Sequence, residues 1–333
     1  MFPQWLRYLV IATSAMVWSG VRALGSSPAE DRLLRLVPSN AAIVAGIEDP
    51  HHGDQRGRLL IVTHNNNVDL RDWITLAGVD DRQQVDRLIE VAMPSGRGDL
   101  GDHLLLARGS FNGRHILQAA ENIGGVASSY AGVKIVVVKP FAREQKEMID
   151  TRWLAMPDDN TAIFGTPAMV RNALDRYLSS AAADGGLVKR LQELKPDVNC
   201  WSVLSMPGAV LARHLRAGVL DETGDTLLGR VSDVTVGVHY GRNERVDFAI
   251  KTDSPEAATA LAAHLGGRSP LLAVVADRLR TRSAEMSVEQ NEVRGSVRVL
   301  DKEFDAWLAA VYARFSGDSG THGEEVARVG AAR

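Results

Sequence analysis

Apolar and polar positions alternate along this chain in short blocks, and one block type recurs. In HLLLARGSFNGRHILQAAENIGG, residues 103–125, an apolar run turns through small residues and opens at once into helical spacing. NTAIFGTPAMVRNALDRYLSS (160–180), RVDFAIKTDSPEAATALAAHLGG (245–267) and RGSVRVLDKEFDAWLAAVYARFS (294–316) repeat that order. Met169, Val170, Ala173, Leu174, Tyr177 and Leu178 form one helical stripe, and Phe304, Trp307, Leu308, Val311, Tyr312 and Phe315 another. Thr166-Pro167 and Ser254-Pro255 put a hydroxyl before a proline, which predicts N-caps there; Ser110 or Asn112 serves the first unit and Asp301 the last. Each unit predicts a strand followed by a helix that lays one apolar stripe on a sheet.

Between these units the period is two. Val234, Val236 and Val238 alternate in SDVTVGVHY, as Val246, Phe248 and Ile250 do in RVDFAIKT, and the intervening Gly241-Arg242-Asn243-Glu244 predicts a hairpin. VDRLIEVAM and HLLLARGS form a matching pair around PSGRGDLGD. LLRLVPSNAAIVAGIEDP (33–50) resembles LQELKPDVNCWSVLSMP (191–207) in its leucines, its prolines and the strand between them. Together these point to an internal duplication with a boundary in residues 181–186. The predicted organisation is a first repeat over 31–182, a second over 186–316 and a tail over 317–333. Hairpin connections predict an α+β fold with mainly antiparallel sheets and helices packed on one face. A phosphate-binding loop occurs once and carries a fuller glycine signature than RGSFNG, so the repetition marks architecture rather than an anion site.

The segments PSNAAIVAGI, LAGVDDRQQVDRLIEVAM, LLLARGSFNGRHI, SYAGVKIVVV and WLAMPDDNTAIFGTPAMVRNALD carry a resemblance. Over residues 33–180 the chain is similar to a family of exported bacterial proteins of unknown function. The resemblance implies an exported, duplicated α+β protein and brings no reaction with it.

The N-terminus bears on the same point. Between Arg7 and Arg22 there is no charge, and residues 8–21 are mostly apolar, interrupted by Thr13, Ser14 and Ser19. That is a signal-peptide core, shorter than the roughly 20 residues a spanning helix needs. Small residues at Val21, Ala23 and Gly25 place cleavage before Leu24 or Ser26, so residues 1–25 read as a signal peptide. The expected location is the periplasm or the medium. Membrane attachment would come only from that segment left uncleaved.

Composition narrows the function classes. The chain of 333 residues is 45% apolar, 24% charged and 5% aromatic, with a net charge of −3. Mixed charge and few aromatics argue against nucleic acid as a partner. Cys200 is the single cysteine, in the apolar run DVNCWSVLSM, so no intramolecular disulfide forms and the thiol reads as a small buried hydrophobe.

Chemistry-bearing motifs are sparse. There is no GxSxG elbow, SxxK pair or Walker loop, so no catalytic residue is assigned and no cofactor is expected. GIEDPHHGDQRGRLLIVTHNNN concentrates His51, His52 and His64 with Glu48, Asp49 and Asp54, the one candidate metal site, although adjacent histidines in a loop point apart. Asp80-Asp81 and Asp158-Asp159 sit in turn contexts, where aspartate bonds its own backbone. Glu285, Glu289 and Glu292 border a hairpin with a solvated outer face, and Trp73 is a core residue or a binding anchor. The favoured function is an exported, non-enzymatic protein that binds an envelope protein or an apolar ligand in a cleft between the repeats. The alternative is a metal-dependent hydrolase built on the His51, His52, His64 loop.

Overall fold

The computed structural model describes residues 31–48, 85–94, 100–122, 124–138, 151–194, 198, 200–208, 226–239, 244–266 and 283–299. The signal segment, the His51, His52 and His64 loop, Asp80-Asp81, Trp73, residues 301–316 and the tail lie outside them.

In chain order the strands are β1 (Ile43–Glu48), β2 (Val85–Pro94), β3 (Leu100–Gly109), β4 (Val126–Tyr130), β5 (Val133–Val138), β6 (Arg152–Asp158) and β7 (Thr161–Gly165). The second half adds β8 (Cys200–Ser205), β9 (Val231–His239), β10 (Glu244–Thr252), β11 (Ser283–Glu289) and β12 (Glu292–Val299). The helices are α1 (Gly113–Asn122), α2 (Pro167–Leu178), α3 (Gly185–Gln192) and α4 (Pro255–Gly266), and a 3-10 turn spans Leu34–Leu36. The fold is α+β, and among the described residues every strand pairing is antiparallel.

The twelve strands among the described residues belong to one sheet, in the order β11-β12-β10-β9-β8-β1-β2-β3-β7-β6-β5-β4. Read outward from the centre, β1-β2-β3-β7-β6 and β8-β9-β10-β12-β11 follow the same connectivity, so the duplication is a two-fold about the β1–β8 seam. Its axis passes between Ala45 and Ser202, which stand opposite each other. The alternation seen in the sequence sets the register: Val246, Phe248 and Ile250 face Val238, Val236 and Val234. The β4–β5 hairpin is an addition to the first half, with no counterpart among the described residues of the second. Its two-residue turn uses Ala131 (φ 48°) and Gly132 (φ 83°), the left-handed pair a tight hairpin requires.

Helices occupy both faces of the sheet, not one as the pattern suggested. On the near face, α2, α3 and the 3-10 turn pack on Val44, Ile89, Leu104, Leu106, Ile163 and Trp201. On the far face, α1 covers Leu105, Val136, Leu154 and Phe164, and α4 covers Leu204, Phe248 and Val293. The reason lies in the strands: Ile163 and Phe164 are neighbours on opposite faces of β7 and are 0% and 5% exposed. A strand apolar on both faces needs cover on both.

Capping explains where the helices begin. Asn112 Oδ1 accepts the His115 N–H at 3.1 Å, and Asp184 Oδ1 accepts that of Leu187 at 2.8 Å. Ser254 Oγ accepts the Ala257 N–H at 3.2 Å. Thr166 departs from expectation: it holds the N-cap position of α2 but makes no side-chain cap, and its hydroxyl is buried instead. Proline at the first turn sets that helix start without it.

Candidate functional site

The two-fold permits a comparison of the near face position by position. In the first half Leu106 pairs with Ile163, Leu104 with Gly165, and β6 contributes Trp153 and Ala155. The registers place Ala249 and Arg294 where Leu106 and Ile163 stand, and Asp247 and Ser296 where Leu104 and Gly165 stand. Glu285 and Ser287 take the places of Trp153 and Ala155, and Thr235 that of Ile89. The apolar floor of one half is thus a polar floor in the other. In the first half α2 seals it with Met169, Val170, Ala173 and Leu174.

In the second half the same floor lines a cleft of about 450 Å³, walled on one side by Arg190, Glu193 and Leu194. Phe248, Met286 and Gly295 also border it, and their register sends their side chains to the far face, leaving backbone at the cleft. Gly237 belongs to this floor, and a side chain there would run into Leu194 and Val198, so glycine lets the end of the α3 segment come down on β9.

Charges in the cleft are held in fixed places. The Arg190 guanidinium meets the Asp233 carboxylate and donates to Ser205 Oγ at 2.6 Å; Ser205 in turn donates to Asp233 at 3.0 Å. Arg294 lies 2.6 Å from Glu292, 3.0 Å from Glu193 and 3.8 Å from Glu289. Arg245 donates to Asp247 at 2.8 Å. Ser287, Ser296 and Thr235 add hydroxyls to the lining. Arginine forks and carboxylates locked together orient a ligand by hydrogen bonds.

The strand position of Asp233 corresponds to that of Arg87 in the first half, and there the charges are exchanged. Arg87 meets Asp31, and Asp31 Oδ1 also accepts the N–H groups of Leu33 at 2.8 Å and Leu34 at 3.3 Å. Burial, with the nearby charge of Arg108, pushes the Arg87 guanidinium down to about 9, which leaves it charged at neutral pH. This pair is buried and pins the 3-10 turn to β2, whereas the pair in the second half is a quarter exposed.

Of the sequence-predicted site residues, His51, His52 and His64 lie outside the described residues. Among the described residues no group of three potential metal ligands converges. Asp158 behaves as turn chemistry requires: its carboxylate accepts the Asn160 N–H at 2.8 Å and the Tyr177 hydroxyl at 2.7 Å. Burial pushes that carboxyl up, and its hydrogen bonds more than offset this, leaving it below its ordinary range. Burial, reinforced by Arg152 and opposed by Asp102, lowers His103 to about 4, so it is neutral at physiological pH. Cys200 is buried. Glu285 and Glu289 are exposed on the hairpin, as its pattern suggested. Sequence reasoning missed that Glu285 borders a cleft, and it passed over Arg190, Glu193, Asp247 and Arg294. The signal was present: EVRGSVRV alternates charge with apolar residues, while its counterpart TAIFG does not.

No helix among the described residues is long and apolar enough to cross a membrane. No family model matches the chain. No curated protein matches it. Among solved structures it is similar to crystal form I of TP0453, at 9% identity and a TM-score of 0.46, over 85% of this chain and 98% of that one. It is also similar to crystal form IV of TP0453, at 9% identity and a TM-score of 0.47, over 82% of this chain and 95% of that one.

Proposed function

We propose that this chain is an exported, non-enzymatic binding protein and that the cleft of its second half is where it binds. The observation that carries the reading is the difference between two otherwise equivalent surfaces. One copy of the near face is apolar and sealed by α2; the other is polar, charged and lined by ordered ion pairs. A floor with Asp247, Arg294 and Ser296 favours a polar ligand or a polar segment of an envelope protein over the apolar ligand that the sequence suggested. The export half of the reading rests on residues 1–25 and on the family resemblance.

Native mass spectrometry of protein recovered from its own cell envelope tests the proposal, with Ala249→Trp as the comparison. Ala249 lies mid-floor, and an indole there fills the cleft without touching the far-face core. The wild type should retain a ligand or partner that Ala249→Trp loses. Recovery of nothing by the wild type, or equal recovery by both proteins, would overturn the proposal.

A further inference from the structure

The sheet ends in two unlike edges. At one end β11 carries Glu285 and Glu289, charges of the kind that protect an edge from pairing. At the other end β4 reads Val126-Ala127-Ser128-Ser129-Tyr130 without a single charge, and no described strand pairs with its outer side. Val126 is 58% exposed, the largest exposure among the big hydrophobic side chains described. An uncharged, exposed edge of this kind is a template for another strand.

We propose that β4 is a self-association edge, on which a second copy of this chain pairs its own β4 antiparallel about a two-fold at Ser128. The local geometry selects that register. The tight turn at Ala131-Gly132 makes Tyr130 and Val133 a hydrogen-bonded pair, so alternate residues of β4 direct their backbone groups at β5 and the others outward. Ala127 and Ser129 are the outward-facing residues. About an axis at Ser128, the N–H and C=O of Ala127 meet those of the partner's Ser129, and the reverse pairing follows by symmetry. The same register sets Val126 across from the partner's Tyr130, in the closer kind of antiparallel pair, and covers the exposed valine with an aromatic ring.

Tyr130 is already positioned for this. Its hydroxyl donates to Asp175 Oδ1 at 3.0 Å, and its ring lies 6.3 Å from that of Trp153. The Arg171 guanidinium stacks over Trp153 at 4.7 Å. The ring that receives Val126 is therefore held by α2 and β6 before any partner arrives, which lowers the ordering cost of association. A strand of this length buries little area, so the dimer is weak and dependent on concentration.

Sedimentation velocity of the full mature chain over a concentration series tests the proposal. Ala127→Pro removes an outward N–H and leaves the β4–β5 ladder intact. Ser128→Lys places like charges on the axis. The wild type should show a reversible monomer–dimer equilibrium, and each variant should raise the dimer dissociation constant by about tenfold or more. A wild type that stays monomeric throughout, or either variant dimerising as well as the wild type, would overturn the proposal. Circular dichroism on both variants verifies the fold, and Ser128→Lys carries the test should the proline perturb it.

Discussion

Replacing Asp31 by alanine should be among the most damaging single changes in the described part of the chain. Its carboxylate is 1% exposed and the Arg87 guanidinium it faces is 4% exposed. Removing one partner of a buried ion pair costs about 3–5 kcal/mol, because the remaining charge has been moved out of water. Asp31 also accepts two backbone N–H groups at the start of the 3-10 turn, and losing such a cap costs about 1 kcal/mol more. The sum, about 4–6 kcal/mol, corresponds to a fall in melting temperature of about 10–20 °C for a domain of this size. Asp233→Ala, which breaks the matching but quarter-exposed pair with Arg190, should cost closer to about 1 kcal/mol. Urea denaturation of both variants measures the contrast. The double replacement Asp31→Leu with Arg87→Met should recover most of the loss, since apolar residues of similar volume substitute well for a buried pair. If Asp31→Ala costs less than Asp233→Ala, the argument that burial separates the two pairs is wrong.

Three further outcomes can be measured, two argued from the structure and one from the N-terminal sequence. His103 titrates near 4 when folded and near 6.5 when unfolded, so the unfolded chain binds more protons between those values and stability falls as pH drops through that window. The wild type should lose about 3 kcal/mol more than His103→Gln between pH 7 and pH 4, and equal losses in denaturant titrations would refute the assignment. Gly46→Ala sets a methyl group against the Trp201 ring across the β1–β8 seam and should destabilise by about 1–3 kcal/mol; an unchanged melting temperature would mean the seam is not packed this way. Intact-mass measurement on envelope-fraction protein should give a chain beginning at Leu24 or Ser26, and retention of Met1 would contradict export with cleavage.

The fold was legible wherever one face of an element dominates its pattern. Val246, Phe248 and Ile250 opposite three alternating valines fixed a hairpin and its register, and the stripe from Met169 to Leu174 marked a helix with one buried side. The placement of helices on both faces was harder to read, because TAIFG and HLLLARG are apolar on both sides and a short two-sided run has no period that reports its cover. The cleft was missed for a different reason. Arg294, Asp247 and Glu285 look like ordinary solvated strand residues until the two-fold sets them against Ile163, Leu104 and Trp153. Arg190 on α3 and Glu193 at its C-cap are far from them in sequence, and only the packing of the α3 segment on β9 brings them to one wall.

Among the described residues two equivalent surfaces differ in cover: one is packed under α2 and the other lines a cleft. Cys200 is fully buried, so a thiol placed elsewhere can be followed against a low background. Ser287→Cys puts that thiol in the cleft, and Ala155→Cys puts it at the matching place under α2, where Ala155 is 0% exposed. The rate of modification by a small maleimide, measured for each variant under native conditions, compares the two directly. Ser287→Cys should react at a rate near that of a free exposed thiol, orders of magnitude faster than Ala155→Cys. Equal, slow modification of both would show that the second floor is covered like the first, and would refute the difference between them.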